Sequence, residues 1–288
     1  DRICYHGVLD SFRNPKLSAA VYASQKTPRS PSDIVLEVSS SMALGDHPGG
    51  FAGACWVFTN AESVRLYRGN DFIAEFSPDR RGRFAALPHP PIEVQDFVGS
   101  LLEKYEGLDP VVAPQVAAIL NEMRRDALSL SPLSRARLLS LRLSWNDLLR
   151  MYYKYIGVLG TPCAAYRFEA VWHGRTVRTV VREPVQSVRL ECTVHNPILT
   201  DGPTWDCAAV SLRAIDQNGN LLPYCGEAVQ LSVDGPLKII GPSVVPLRGG
   251  MAGTYLATTG EAGRAVLHCR MEGALDTDAV VTIRCREA

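Results

Sequence analysis

The sequence predicts a mainly β fold with a helical insertion, built as two immunoglobulin-like β-sandwich domains. Three observations carry that reading. Short runs of alternating apolar and polar residues recur toward both ends of the chain, divided by Gly, Asn and Asp turns. The stretch from about 92 to 157 changes to helical spacing. The chain has 288 residues, 46% hydrophobic and 21% charged, which is room for roughly two globular domains.

The elements follow in order. Asn14 suits a helix N-cap and Pro15 the first helical position, where its missing N–H costs nothing. The helix should run to about Gln25 and stop before Pro28 and Pro31. Its face of Leu17, Ala20 and Val21 cannot bury itself, so it must dock on something else. Ile34, Leu36 and Val38 alternate as a strand, and a loop spans 45–50. Strands are predicted at 55–59 and 64–67, and Gly69-Asn70-Asp71 turns the chain into another at 72–76.

In the helical stretch, Val94, Phe97, Val98, Leu101, Leu102 and Tyr105 share one face. Val112, Val116, Ile119, Leu120, Met123 and Ala127 share another. Ser131-Pro132 opens a short third helix. Ser144 and Asp147 form a capping-box pattern for a fourth, with Leu143 placed to staple against Leu148. That helix should end near Ile156, with Gly157 free to take positive φ.

Strand character returns at Tyr166, Phe168, Ala170 and Trp172, and His173-Gly174 turns into Val177, Thr179 and Val181. Pro184 marks a boundary. Beyond it, strands around 188–192, 210–214, 229–233, 239–240, 255–257, 265–269 and 280–285 make a second sandwich, with a strong turn at Asp216–Asn220. The expected domains are 1–30, 31–183 with the insertion, and 184–288.

Charge narrows the function. Lys+Arg total 30 and Asp+Glu total 30, so the formal net charge is zero. That balance disfavours nucleic-acid or membrane-surface binding, so neither partner is expected. No apolar run approaches the 18 or so residues of a membrane span. The eight cysteines form no C-x-x-C pair, which disfavours a zinc or thioredoxin-type site, and no metal or cofactor is expected. Five of them fall in 192–285, an odd number. No initiator Met or export signal opens the chain, which reads as a piece of something longer; buried thiols and a cytoplasmic compartment are expected.

Three segments then become familiar. Tyr5-His6-Gly7-Val8-Leu9-Asp10-Ser11-Phe12-Arg13-Asn14-Pro15-Lys16 resembles the run in glycoside hydrolase family 2, the β-galactosidase and β-glucuronidase family, where the last barrel strand leads into the last barrel helix. Trp56 to Tyr67 is similar to a strand pair in the immunoglobulin-like domain after that barrel, and Asp201-Gly202 with 209–223 resembles both the family's terminal domains and bacterial adhesin-type immunoglobulin-like modules. The resemblance implies that residues 1–30 are the end of a (β/α)8 barrel, preceding both sandwiches. It implies a parent enzyme that hydrolyses β-galactosides or related glycosides by a retaining mechanism, with two glutamates upstream of this chain. No catalytic residue is therefore assigned here, and no glycosidase activity is expected of this chain alone. The implied partner is the missing barrel, with homo-oligomer contacts a further expected role. The helical insertion departs from the short family members.

Asp10 fits a turn with Arg13 better than a leftover active-site role. Cys4, His6 and Asp10 do not fit a nucleophilic triad. Asp216-x-Asn218-Gly219-Asn220 begins like a calcium loop with Glu227 at position 12, but the misplaced Gly and strand flanks favour a hairpin. Trp172 and Trp205 are the candidates for stacking on sugar C–H faces. Tyr152, Tyr153 and Tyr155 cannot all face one side, so at least one should lie at an interface. Seven basic residues against three acidic ones in 121–155 read as a solvated helical surface. The rival reading is a stand-alone carbohydrate-binding or adhesin-type protein.

Overall fold

The computed structural model describes residues 6–42, 53–158 and 160–285. They fall into two compact units: Leu17–Pro184, and Val185 onward together with the described residues up to Lys16. The 1–30 stretch is thus divided at Lys16. The predicted loop at 45–50 and Cys4 lie outside the described residues. No helix among those described is long and apolar enough to cross a membrane.

The unit Leu17–Pro184 begins with helix α1 (Leu17–Ala23). Strands β1 (Leu36–Val38), β2 (Cys55–Thr59), β3 (Ser63–Arg68), β4 (Asp71–Phe76) and β5 (Ile92–Val94) follow. Helices α2 (Leu101–Glu106), α3 (Ala113–Arg125), α4 (Pro132–Ser140) and α5 (Trp145–Tyr155) precede strands β6 (Tyr166–Trp172) and β7 (Arg175–Arg182). One sheet runs β1-β2-β5 and the other β4-β3-β6-β7, all antiparallel. Alternation sets the faces: Cys55, Val57 and Thr59 are buried while Trp56 and Phe58 turn outward. Both sheets and helices α2 to α5 share one core, in which Val57, Leu66 and Phe168 meet Phe97, Ile119, Leu120 and Tyr152. Each such aliphatic or aromatic side chain contributes about 1.5–3 kcal/mol by leaving water.

The helical segment starts later than its periodicity predicts. Ile92–Val94 is a strand, and the first helix opens only at Leu101. The carboxylate of Asp96 accepts the N–H groups of Val98 and Gly99 at 2.9 and 3.0 Å, a local turn that competes with helix. Gly99 then takes φ of 51°, and a Cβ there would sit 2.6 Å from the Ile73 carbonyl oxygen. Further on the expectations hold. Ser131 caps α4, and Ser144 with Asp147 completes the capping box of α5. Gly157 takes φ of 101° and donates its N–H to the Tyr152 carbonyl at 2.9 Å, ending the helix.

The other unit is a pair of five-stranded sheets. Its strands are β8 (Val188–Val194), β9 (Ile198–Asp201), β10 (Cys207–Ile215), β11 (Ala228–Asp234) and β12 (Leu237–Ile240). Then come β13 (Val244–Pro246), β14 (Met251–Thr258), β15 (Gly263–Met271), β16 (Ala274–Leu275) and β17 (Thr277–Cys285). The sheet orders are β12-β14-β10-β8-β16 and β13-β11-β15-β17-β9, with parallel pairs only at the β16 and β9 edges. Leu190, Val210, Leu212, Leu231, Leu256, Leu267 and Val281 fill the space between them. The mainly β, two-sandwich fold with helices inserted in the first is thus borne out.

Residues 6–16 do not lead a helix. They form a small hairpin, with Leu9 bridged to Pro15. Asn14 is no N-cap: its side-chain amide donates to Asp10 Oδ2 and to the Ala252 carbonyl, both at 2.8 Å, and the residue is buried. The helix begins only at Leu17, after this turn closes. The Ser211 hydroxyl donates to the Phe12 carbonyl at 3.0 Å, and Tyr255 Oη donates to that of Ser11 at 3.1 Å. The hairpin therefore lies on β10 and β14.

Candidate functional site

The two tryptophans singled out from the sequence have different surroundings, each in its own unit. Trp172 is half-buried at the end of β6, packs against the core and meets the His173 ring at 4.2 Å between centroids. Trp205 is 58% exposed in the loop before β10. Trp205 is therefore the more accessible of the two to a ligand.

A third aromatic site was not singled out. On the outward face of β2, Trp56 meets Phe84 edge-to-face at 5.8 Å between centroids. The two rings line a cleft of about 660 Å³ together with Pro91, Glu75, Glu93 and Gln95. Glu93 stands directly across from Trp56 in the β2–β5 pair. Glu75 accepts hydrogen bonds from the Ser63 hydroxyl and from Arg65 Nε, and these hold its carboxyl below the usual carboxylate range. A rigid ring on a strand, with carboxylates and an amide at its rim, suits a ligand that has an apolar face and hydroxyl edges. The strand's period of two puts Trp56 and Phe58 on one face and Cys55, Val57 and Thr59 on the other, but both faces are apolar in sequence, so packing alone decides that Trp56 turns outward.

The other residues weighed earlier have structural employment. Asp10 Oδ1 accepts the N–H groups of Phe12 and Asn14, both at 2.8 Å. Asp216 Oδ1 accepts those of Asn218 and Asn220, again at 2.8 Å, and Asn220 Nδ2 donates to Oδ2. The two Asp-x-x-x-Asn turns are thus the same structure, with Arg13 at φ of 67° and Gly219 at 80° in the equivalent place. In both turns the aspartate oxygens are committed to local N–H groups. Among the described residues no group of three or more His, Cys, Asp or Glu is placed to hold a metal. Tyr152 and Tyr155 enter the core while Tyr153 is 46% exposed. Arg124, expected on a solvated face, is buried over the Phe97 ring at 4.0 Å, with Nη1 donating to the Gly53 carbonyl. Cys55 and Cys269 are buried as expected of the cysteines, but Cys207 and Cys285 are exposed.

No protein-family model matches the chain. It is 27% identical over 253 residues to a β-galactosidase of Thermoanaerobacterium thermosulfurigenes, covering 87% of this chain and 27% of that protein. Among solved structures it matches a β-glycosidase from Bacteroides vulgatus with a TM-score of 0.56 and 13% identity, over 96% of this chain and 28% of the other. A glycosyl hydrolase family 2 member from Bacteroides cellulosilyticus gives 0.54 and 10%, over 97% and 32%. The chain therefore spans about a third or less of these proteins. Its sequence resembles part of a β-galactosidase, and its fold is that of a region of family 2 glycoside hydrolases, which bears out the resemblance read from the motifs.

Proposed function

We propose that this chain is the non-catalytic, C-terminal part of a family 2 glycoside hydrolase, lying after a (β/α)8 barrel that carries a retaining pair of glutamates. The observation behind this is the continuous similarity along 87% of the chain to a β-galactosidase of which it makes up 27%. In this reading residues 1–30 carry the chain out of the last barrel unit, and the sandwiches of 31–183 and 184–288 support the barrel. Helix α1 is compatible with that role, because it has no buried residue and leaves Leu17 and Tyr22 exposed. The parent's reaction is the hydrolysis of β-galactosides or related glycosides. Chromogenic β-galactoside should not be turned over by this chain, and should be turned over once the upstream region is supplied in the same polypeptide. Turnover by the chain alone, abolished by changing one of its own carboxylates, would overturn the reading.

The exposed Trp205 and the Trp56–Phe84 cleft favour a second role, contact with the sugar chain; the half-buried Trp172 would contribute less. Calorimetric titration with β-galactosides should show weak binding, of the order of millimolar, which Trp56→Ala or Trp205→Ala diminishes. Tight, saturable binding by the isolated chain would instead favour a stand-alone carbohydrate-binding or adhesin-type module.

A further inference from the structure

Cys192 lies on β8 and Cys269 on β15, in different sheets of the C-terminal sandwich. Cys192 stands opposite Leu212 in its own sheet, and Cys269 stands opposite Leu231 and Thr277 in the other. Both side chains point inward, Cys269 within the core and Cys192 packed against it. Their sulfurs are 3.7 Å apart, and the two residues are 77 positions apart in the chain. A disulfide needs about 2.0 Å, a difference that small side-chain rotations in both residues can close. Among immunoglobulin-like sandwiches, a bridge between the two sheets is a recurring brace.

We propose that Cys192 and Cys269 are a dithiol that closes into a disulfide between the two sheets, with a small-molecule disulfide such as oxidised glutathione as electron acceptor. Cys192 attacks first. It is the more accessible of the two, and the Cys269 S–H donates to its sulfur, which favours the thiolate there. The Cys192 thiolate attacks one glutathione sulfur, forms a mixed disulfide and expels one glutathione thiolate. Cys269 then loses its proton and attacks the Cys192 sulfur, expelling the second. Two electrons pass from the protein thiols to the reagent, and the two protons end on the released glutathiones.

The whole chain, treated with oxidised glutathione at pH 8, is alkylated and digested without reduction. The expected product is a Cys192–Cys269 linked peptide, about 2 mass units lighter than the dithiol pair because each thiol has lost its hydrogen. Fragmentation must place the bond on Cys192 rather than on Cys207, which share a tryptic peptide. The oxidised protein should melt about 10 °C above the dithiothreitol-reduced one, a gain absent in Cys192→Ser. The wild-type peptide map stands even if that variant fails to fold. Recovery of Cys192 and Cys269 as alkylated thiols or glutathione adducts, after exposed Cys207 and Cys285 have reacted, overturns the proposal. A bridge that appears only with loss of the native circular dichroism spectrum overturns it too.

Discussion

Gly253 is in β14 because Phe12 occupies the place of its side chain. A Cβ at 253 would come within 2.2 Å of the Phe12 ring and 2.5 Å of the Val210 carbonyl oxygen. Gly253→Val should therefore cost about 2–3 kcal/mol in urea unfolding, and a variant as stable as the wild type would contradict the contact. At His268 the effect is electrostatic. Its ring is flanked by Asp278 at 2.8 Å and Asp234 at 3.1 Å, and these hydrogen bonds, Asp278 first, raise its pKa above the ordinary value of 6.5. The stabilisation is fully present below that ordinary value and lost as pH rises through the raised one. His268→Gln should thus narrow its stability gap from the wild type between pH 5.5 and pH 9, read from Tm. A gap that widens would reverse the assignment. Neither effect could be read from neighbours in sequence, since Phe12 and Asp234 approach from distant positions.

Among the elements, α5 is the one whose sequence and structure agree most closely. Ser144 Oγ accepts the Asp147 N–H at 3.1 Å, and Asp147 Oδ2 accepts the Ser144 N–H at 3.3 Å. Both partners lie within one turn, so the pattern needs nothing from the rest of the fold. Ser144→Ala should cost about 1 kcal/mol, and Ser144→Thr, which keeps the hydroxyl that donates to Asp147 Oδ2, should recover most of it. At its other end α5 is tied to α2. Glu106 accepts from Lys154, Tyr155 and Arg150, and Lys154 first among them holds its carboxyl down to about 2. That contribution is present above the usual carboxylate range and fades as pH falls through about 2. By contrast, the segment 92–100 kept helical spacing and yet became a strand and a turn. Pairing with β2 and the Asp96 turn outweighed a periodicity that several buried conformations can satisfy.

At the scale of the whole molecule, the hairpin 6–16 belongs with residues that follow Pro184. The sandwich after Pro184 is therefore joined by a hairpin from far earlier in the chain, Phe12 lying 199 positions before Ser211. A chain starting at Leu17 should show faster hydrogen exchange in β10 and β14, by about 30-fold, the equivalent of about 2 kcal/mol. Unchanged exchange there would mean that the hairpin contributes nothing to the sandwich. The sequence by itself determined what depends on near neighbours: most of the strands, the caps of α4 and α5, and the Asp216 turn. It also carried the family resemblance, because motif residues keep their order along the chain. Only the tertiary structure decided what depends on distant partners: which strands take up the first hairpin, which rings meet across the cleft, and which two of the scattered thiols come together. Such pairings follow from packing between segments far apart in the chain, and local spacing carries no information about them.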